Sequence, residues 1–323
     1  IRRHTLSPLG SRGLGDVYKR QANSMANQHN AMRAHVPLVN MVGDHATYHL
    51  KYDAPLTSDV LAHARIVSEW ARASESTNDL ALAGAEAVQA SLRGAGKVTT
   101  FIAPANHAWD QASTAVPALE PAGLEAVGRD AIDDAAQRLS NEKKTVLVLG
   151  GRALREDSLH AAGRIAAATG ARLVCEVFPT RLQRGAGRVT VERLPYFAEA
   201  AVAALESTEQ MILVGTKAPV AFFAYPGKPG WLAPEGCDLH TLAAVDQDPL
   251  PALQAVAQLL DAGGEPDIAP RASALPAPSG VLSPVAIGQS VTRALPDDAI
   301  VVDEAATCGL GIFPLTGQAA PHD

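Results

Sequence analysis

The segment Pro37–Asp59, PLVNMVGDHATYHLKYDAPLTSD, carries the strongest indication of the fold. Its first seven residues, Pro37–Gly43, form a short apolar run that ends in glycine, which is typical of a buried strand in a parallel sheet. The polar and aromatic residues after this strand lie where open α/β sheets hold their ligands, beyond the carboxyl ends of the strands. The segment therefore predicts an α/β unit with a candidate site in the loop that follows the strand.

Asp44 and His45 begin this loop, and His49 lies further along it. A histidine changes its charge near neutral pH, so His45 beside a carboxylate is a candidate for acid–base catalysis. The alternative is that the pair forms a local hydrogen-bonded turn without a chemical role.

Outward from this segment, residues 22–112 form the first of three blocks. A helix rich in small residues precedes the strand, and three consecutive residues with side-chain oxygens can cap a second helix that begins at Val60. A helix over Asp79–Leu92 and a β-branched strand over Val98–Ile102 complete the block. Residues 113–127 are small and proline-bearing, which predicts a linker.

Residues 128–263 alternate strands with helices, and this alternation predicts a parallel, Rossmann-like sheet. Residues 264–280 are rich in proline and alanine, which predicts a second linker. Residues 281–323 begin with a helix capped by Ser283 and continue with a strand over Ala299–Val302. The predicted elements of the central block are the strands Thr145–Leu149, Arg172–Val177, Met211–Val214 and Leu239–Val245 and the helices Ala131–Leu139, Ser158–Thr169 and Phe197–Leu205.

Gly150-Gly151 follows the first strand of the central block and invites a dinucleotide-binding interpretation. The third glycine of the GxGxxG pattern, which allows close packing of helix on strand, is missing. A plain tight turn is the alternative.

The stretch Val220–Gly230, VAFFAYPGKPG, concentrates aromatic residues in a chain that is only 4% aromatic. Because it follows a strand end, we expect Phe222, Phe223 and Tyr225 on a loop at the ligand-facing edge of the sheet. These three are candidates to line a substrate pocket, and Tyr225 is also a candidate catalytic residue. A hydrophobic plug under the loop is the alternative.

The stretch Asp303–Gly309, DEAATCG, should form a turn after the last predicted strand. Small residues let backbone N–H groups approach a diphosphate, and the Thr307 hydroxyl can donate to it. Ala306, Thr307 and Cys308 are therefore candidate cofactor-binding residues. An N-cap that precedes a helix is the alternative.

These segments resemble the acetolactate-synthase-like and benzoylformate-decarboxylase-like branch of the thiamine-diphosphate enzymes, and the resemblance runs from Ala22 to Asp323. It implies a complete central Rossmann-like domain between the C-terminal part of a pyrimidine-binding domain and the start of a diphosphate-binding domain. It adds Asn23 as a candidate cofactor-binding residue. It also implies that the aromatic loop reaches the substrate, at a position where some relatives hold a catalytic histidine and this chain has Tyr225 or a phenylalanine. Bound FAD is not expected.

The resemblance also sets expectations for the ends of the chain. Residues 1–21 include SRGLGDVYKRQ, which looks like a translated sequencing adapter, so we expect them to be artefactual and disordered; a basic N-terminal arm is the alternative. The glutamate that activates thiamine diphosphate is expected before Ala22, and the GDG turn and asparagine that hold Mg²⁺ are expected after Asp323. The chain is then an inactive fragment without metal ligands of its own.

Composition argues against nucleic-acid-binding and membrane proteins. Without residues 1–21, which hold five basic residues and one acidic residue, the formal net charge changes from −7 to −11, and an acidic surface does not suit nucleic acids. No apolar run reaches the roughly 18 residues that a membrane span needs. Three dispersed cysteines fit a reducing compartment and no zinc site, so a cytoplasmic location is expected.

The resemblance implies that the chain is part of a thiamine-diphosphate-dependent 2-oxo acid carboligase or decarboxylase. The expected type is an acetolactate synthase of branched-chain amino acid biosynthesis, which condenses two pyruvates, with Mg²⁺ as the companion ion and a homodimer or homotetramer as the parent assembly. The alternatives are a benzoylformate decarboxylase-like lyase, an FAD- or nucleotide-binding α/β protein without thiamine chemistry, and a non-catalytic protein on the same fold.

Overall fold

The computed structural model describes residues 17–113, 115–271, 277–305 and 308–323, with the side-chain surroundings of residues 17–22, 308 and 310 left out. The chain forms two compact units, Ile1–Leu124 and Glu125–Asp323. The strand pairs of both sheets are parallel. This confirms the predicted α/β class, whereas the boundaries of the three predicted blocks stay a prediction.

The first unit holds a three-stranded sheet in the order β1–β3–β2, built from β1 (Leu38–Asp44), β2 (Trp70–Ala73) and β3 (Val98–Pro104). The central strand β3 is buried along nearly its whole length because apolar side chains cover both of its faces. Ile102 packs against Val42 and Val60, whereas Phe101 packs against Ala83 and Ala87.

Four described helices accompany this sheet: α1 (Val17–Arg33), α2 (Val60–Val67), α3 (Thr77–Ser91) and α4 (Ala105–Trp109). The predicted start of α2 is confirmed, since the Asp59 carboxylate accepts the N–H of Ala62 at 2.9 Å. The sequence pattern does not predict β2, a four-residue edge strand whose Arg72 points to Asp79 and Glu86 rather than to a core. It also misses the short helix α4.

The second unit holds a five-stranded sheet in the order β6–β5–β4–β7–β8. Its two central strands, β4 and β7, are buried at every position, with Leu147, Leu149 and Ile212 fully inaccessible. Four of the five strands are confirmed predictions, and the missed β6 is only two residues long. The strands are β4 (Thr145–Leu149), β5 (Arg172–Cys175), β6 (Glu192–Arg193), β7 (Gln210–Val214) and β8 (Asp238–Ala243), and the helices up to residue 263 are α5 (Arg129–Leu139), α6 (Glu156–Thr169), α7 (Ala198–Leu205) and α8 (Pro249–Leu259).

The later part of this unit contains α9 (Pro284–Ala294), a 3-10 turn (Cys308–Gly311) and α10 (Ile312–Thr316). The predicted cap of α9 is confirmed, because the Ser283 hydroxyl accepts the N–H of Ala286 at 3.1 Å. A Cβ at Gly288 would lie 2.6 Å from Leu315 Cδ1 and closer still to the Gly311 carbonyl. A glycine in α9 therefore lets the two segments touch through their backbones.

The predicted strand over Ala299–Val302 is wrong. Only Ala299 forms an isolated bridge, to His322, while Ile300 and Val302 are 76% and 78% exposed. The run has the β-branched residues of a strand, and its backbone pairs briefly with residues 321–323: the N–H of Val301 donates to the Asp323 carbonyl at 2.9 Å, and that of Asp323 to the Ala299 carbonyl at 3.0 Å. This pairing amounts to one isolated bridge, which is too short to form a sheet strand.

Candidate functional site

The first candidate region lies at the carboxyl edge of the sheet of the first unit. The parallel register places Asp44, at the end of β1, beside Pro104, at the end of β3. The loop after β1 is tied to α4 there, because Asn106 accepts the N–H of Thr47 at 2.8 Å and donates to the Thr47 hydroxyl at 3.2 Å. Two chain segments of the predicted loop region are thus held together at one edge.

His45 lies in this loop with a polar atom that has no hydrogen-bond partner. Its backbone N–H donates to the Asp44 carboxylate at 2.7 Å, which is the local turn that the sequence left as an alternative. Its ring nitrogen Nε2 is buried and unpaired among the described residues, and its ring centroid lies 5.5 Å from that of His49. Because buried polar atoms normally find partners, this nitrogen marks a place where a ligand group could bind. A catalytic role for His45 stays a prediction.

Burial raises the pKa of the Asp44 carboxyl above its ordinary value, and the hydrogen bond from His45 opposes this shift. No hydrogen bond joins the carboxylate to the imidazole of His45 in the described structure. The two side chains therefore do not form the acid–base pair that their adjacency in the sequence suggests.

A buried serine–histidine pair, which the sequence analysis missed, lies after β2 and in α4. Ser74 Oγ and His107 Nδ1 share a hydrogen bond of 2.9 Å, and the two residues are only 4% and 6% exposed. Their inaccessibility indicates a packing role. Ser74 and His107 are 33 residues apart, so no local sequence motif links them. The one sequence signal is that each follows the end of a strand, and such ends lie at the same edge of a parallel sheet. Asn23, the remaining predicted residue in this unit, lies on an exposed part of α1.

The second candidate region is an exposed group of six aromatic rings in the second unit, hereafter the aromatic cluster. Its rings come from the segments after β5, β6 and β7, so it lies at the carboxyl edge of the sheet, as predicted for the loop after β7. The Phe222 ring has its centroid 4.7 Å from Phe223, 5.5 Å from Phe178 and 5.7 Å from Tyr196. The members, each between 42% and 68% exposed, are Phe178, Tyr196, Phe197, Phe222, Phe223 and Tyr225.

The exposure of these rings contradicts the alternative of a buried plug under the loop. Edge-to-face contacts hold the rings to one another, and Tyr225 lies at one end, 6.3 Å from the centroid of Phe223. An apolar surface of this kind is a mark of binding in a folded protein. The sequence identified the residues of one loop, but Phe178, Tyr196 and Phe197 join them only through the sheet topology.

The glycine turns after β4 and β7 meet where the strand order reverses, the usual position of a nucleotide in such sheets. A Cβ at Gly150 would lie 2.6 Å from Thr216 Cβ, and one at Gly215 would lie 2.7 Å from the Gly150 carbonyl oxygen. The two turns therefore pack directly on each other.

The Glu176 carboxylate occupies the anion-binding position of these turns. It accepts hydrogen bonds from the Thr216 hydroxyl, at 3.3 Å, and from the backbone N–H of Gly151. Burial raises the pKa of Glu176, although both hydrogen bonds oppose the shift. The backbone N–H of Gly151, which could otherwise bind a nucleotide phosphate, is thus already paired with Glu176. This pairing argues against a dinucleotide at these turns.

The predicted cofactor turn is described only in part. The Asp303 carboxylate accepts the N–H of Ala305 at 3.1 Å and covers Gly309, where a Cβ would lie 2.7 Å from Asp303 Oδ1. Ala306 and Thr307 lie outside the described residues, as does the side chain of Cys308. Their assignment as cofactor-binding residues stays a prediction.

The part of the chain that the structure describes holds neither a metal-binding cluster nor a membrane-spanning helix. Within the described ranges, no three His, Cys, Asp or Glu side chains gather into a set that could hold a metal ion. Of the helices that the structure describes, none combines the length and the apolar character needed to cross a membrane.

No protein-family model matches the chain. Over 306 residues it is 45% identical to a protein of Mycobacterium tuberculosis (strain ATCC 25618 / H37Rv) that is provisionally described as the acetolactate synthase large subunit IlvX. The match covers 93% of this chain and 58% of that protein. The chain thus spans less than two thirds of the relative's length.

Solved structures share the fold at lower sequence identity. A provisionally assigned thiamin diphosphate-dependent enzyme from Mycobacterium smegmatis has a TM-score of 0.75 at 21% identity, over 93% of this chain and 61% of that one. The thiamine diphosphate-dependent 4-hydroxybenzoylformate decarboxylase of Rhodococcus jostii RHA1 has a TM-score of 0.74 at 21% identity, over 95% and 61% of the two chains. Benzoylformate decarboxylase from Polynucleobacter necessarius has a TM-score of 0.71 at 15% identity, over 93% and 59%. These likenesses confirm the predicted fold type, and the 45% identity to the Mycobacterium tuberculosis protein supports the predicted resemblance.

Proposed function

We propose that the chain is part of a thiamine-diphosphate-dependent enzyme that decarboxylates one 2-oxo acid and joins the product to a second, as an acetolactate synthase does. The observation that carries this proposal is the 45% identity over 306 residues to a protein described as an acetolactate synthase large subunit. The fold shared with thiamine-diphosphate enzymes is compatible with it.

The turn Asp303–Gly309 fits the diphosphate end of the cofactor in its residue types. Gly309 has no side chain, and Ala305 and Ala306 are small, so backbone N–H groups can approach phosphate oxygens closely. The Asp303 carboxylate carries the same sign of charge as a diphosphate, so this turn needs a cation such as Mg²⁺ beside the cofactor. When bound, thiamine diphosphate supplies the nucleophilic carbon and the electron sink that decarboxylation of a 2-oxo acid requires.

The aromatic cluster supplies an apolar wall for the substrate side of the reaction. Phe222 and Phe223 would exclude water and orient the substrate, and Tyr225 at the end of the cluster offers a hydroxyl group. Release of an aldehyde needs a positioned proton donor, and a tyrosine hydroxyl is a poorer one than a histidine. This loop therefore favours addition to a second 2-oxo acid over aldehyde release.

The aromatic cluster also favours a second candidate, a decarboxylase of aromatic 2-oxo acids. Exposed rings in edge-to-face contact can accept another ring, which pyruvate does not have. Two of the similar solved structures are named as decarboxylases of benzoylformate or its 4-hydroxy derivative. Relative rates on pyruvate and benzoylformate separate the two candidates.

The experiment is to measure CO₂ release from pyruvate by the whole protein as thiamine diphosphate and Mg²⁺ are varied. We expect activity to require both, and Thr307→Val to raise the half-saturating cofactor concentration about tenfold, the effect of losing one hydrogen bond to a charged group. Thr169→Val, at the end of α6, is the matched control and should leave it unchanged. Pyruvate turnover that does not depend on thiamine diphosphate, or the absence of turnover with every 2-oxo acid tested, would reject the proposal.

A further inference from the structure

A cavity of about 280 Å³ lies within the second unit, away from the residues of the aromatic cluster. Most of its wall is apolar, and three chain segments contribute to it: the stretch after β5, the residues just before Arg271, and α10 with the residues that follow. No side chain of the aromatic cluster lines it. The lining includes Leu182, Arg184, Val189, Ala269, Phe313 and Gln318.

Arg184 is the charged residue that lines this cavity. Its guanidinium donates to the Phe313 carbonyl oxygen at 2.6 Å and to the Thr316 hydroxyl at 3.0 Å, and it lies 3.7 Å from the centroid of the Phe313 ring. A guanidinium has five N–H donors, so donors remain for a ligand. Among the described residues no carboxylate forms an ion pair with it.

The surroundings of Arg184 leave its positive charge uncompensated. Arg193, 4.0 Å from the centroid of the same Phe313 ring, adds a second positive charge. Cys175 cannot offset it, because burial raises the pKa of this thiol to about 12 and keeps it neutral. The nearby Asp323 carboxylate is already paired with Arg181 and Arg188. Burial and the neighbouring Arg193 lower the pKa of Arg184 to about 10, so the guanidinium is still charged at neutral pH.

The wall selects the chemical class of the ligand. One guanidinium beside aliphatic side chains suits a carboxylate that carries an apolar group. Among the residues that the structure describes, no acidic side chain lines the cavity, so the ammonium group of an amino acid would find no partner there. A volume of 280 Å³ is at the small end of ligand sites, which excludes nucleotides.

We propose that this cavity is a second ligand site that binds a short-chain monocarboxylate without an amino group. The carboxylate binds the guanidinium of Arg184, and the apolar group packs against Leu182, Val189 and the ring of Phe313. The site does not depend on the proposed function, because it shares no residue with the cofactor turn or with the aromatic cluster.

The test is calorimetric titration of the full chain with 3-methylbutanoate. We expect saturable binding of one equivalent, and no binding of the neutral 3-methylbutanamide or of leucine, which adds an ammonium group. Arg184→Gln should weaken binding about tenfold or more, the loss of a charge-assisted hydrogen bond. Arg172→Gln, which removes an arginine paired with Glu192 outside the cavity, is the matched control and should bind as the parent does.

Arg184 also holds α10, so Arg184→Gln can lower stability. Thr190→Trp keeps the arginine and places a large side chain at the exposed rim of the cavity, and it should abolish binding while the thermal melt is unchanged. Equal binding of the acid and its amide, unchanged binding by both cavity variants, or no saturable binding by the parent would each overturn the proposal.

Discussion

Glu176 places a carboxyl group inside the carboxyl edge of the second sheet, at the point where a nucleotide phosphate would bind in a related fold. It belongs to no sequence motif, because its partners Gly151 and Thr216 are 25 and 40 residues away along the chain. The sequence could therefore show the glycine turns but not the internal anion that fills them. The hydrogen bonds of this single residue are a physical argument against a dinucleotide at these turns.

At the same scale, the protonation of Glu176 should affect stability in a defined direction. Because its pKa is raised above the ordinary value of 4.5, the folded protein keeps this proton to a higher pH than the unfolded chain does. The free energy of unfolding should fall as pH rises from 4.5 through the folded-state pKa. Glu176→Gln removes this titration, so the stability of the parent relative to the variant should decrease over that range.

Urea unfolding of the parent and of Glu176→Gln from pH 4.5 upward measures this difference. Glu206→Gln, on an exposed residue at the end of α7, controls for the change in net charge. A stability difference that is constant, or that grows in favour of the parent as pH rises, would contradict the assigned environment of Glu176.

At the scale of elements, close backbone approach decides which segments can pack. Gly288 of α9 touches the Gly311 backbone, so Gly288→Ala should push α9 away from α10 and cost roughly 1–3 kcal/mol of stability, the range for overpacking. Gly84→Ala in α3 is the matched control. Its nearest neighbour would be Phe101 Cε1 at 3.9 Å, so it should be neutral or stabilising by up to about 1 kcal/mol. Equal melting temperatures of the two variants would refute this packing.

The sequence predicts elements well where the apolar pattern is long and the element is buried. The central strands β4 and β7 are continuous apolar runs and were found almost residue by residue. The edge strands β2 and β6 are too short to carry a pattern, and the Ala299–Val302 run has strand-like residues but pairs with residues 321–323 through one isolated bridge. The local concentration of aromatic residues was enough to identify the loop after β7. The aromatic cluster as a whole also needs the segments after β5 and β6, which only the fold brings to that loop.

At the scale of the whole molecule, residues after 280 form several hydrogen bonds with the segment that follows β5 of the five-stranded sheet. Arg184 and His322 form an antiparallel bridge, and the backbone N–H of Ala186 donates to the Ala319 carbonyl at 2.8 Å. We predict that a fragment of residues 125–323 melts cooperatively, whereas residues 125–263 melt at lower temperature and bind a hydrophobic dye. A cooperative melt of the shorter fragment at the same temperature would instead support the three-block division that the sequence predicts.

The products formed from pyruvate test the central proposal most directly. The whole protein is given pyruvate, thiamine diphosphate and Mg²⁺, and acetolactate and acetaldehyde are quantified by proton NMR, with benzoylformate as a competing substrate. We expect acetolactate as the main product, because Tyr225 on the aromatic loop is a poorer proton donor for aldehyde release than a histidine. Acetaldehyde in excess over acetolactate, or benzoylformate consumed much faster than pyruvate, would contradict it.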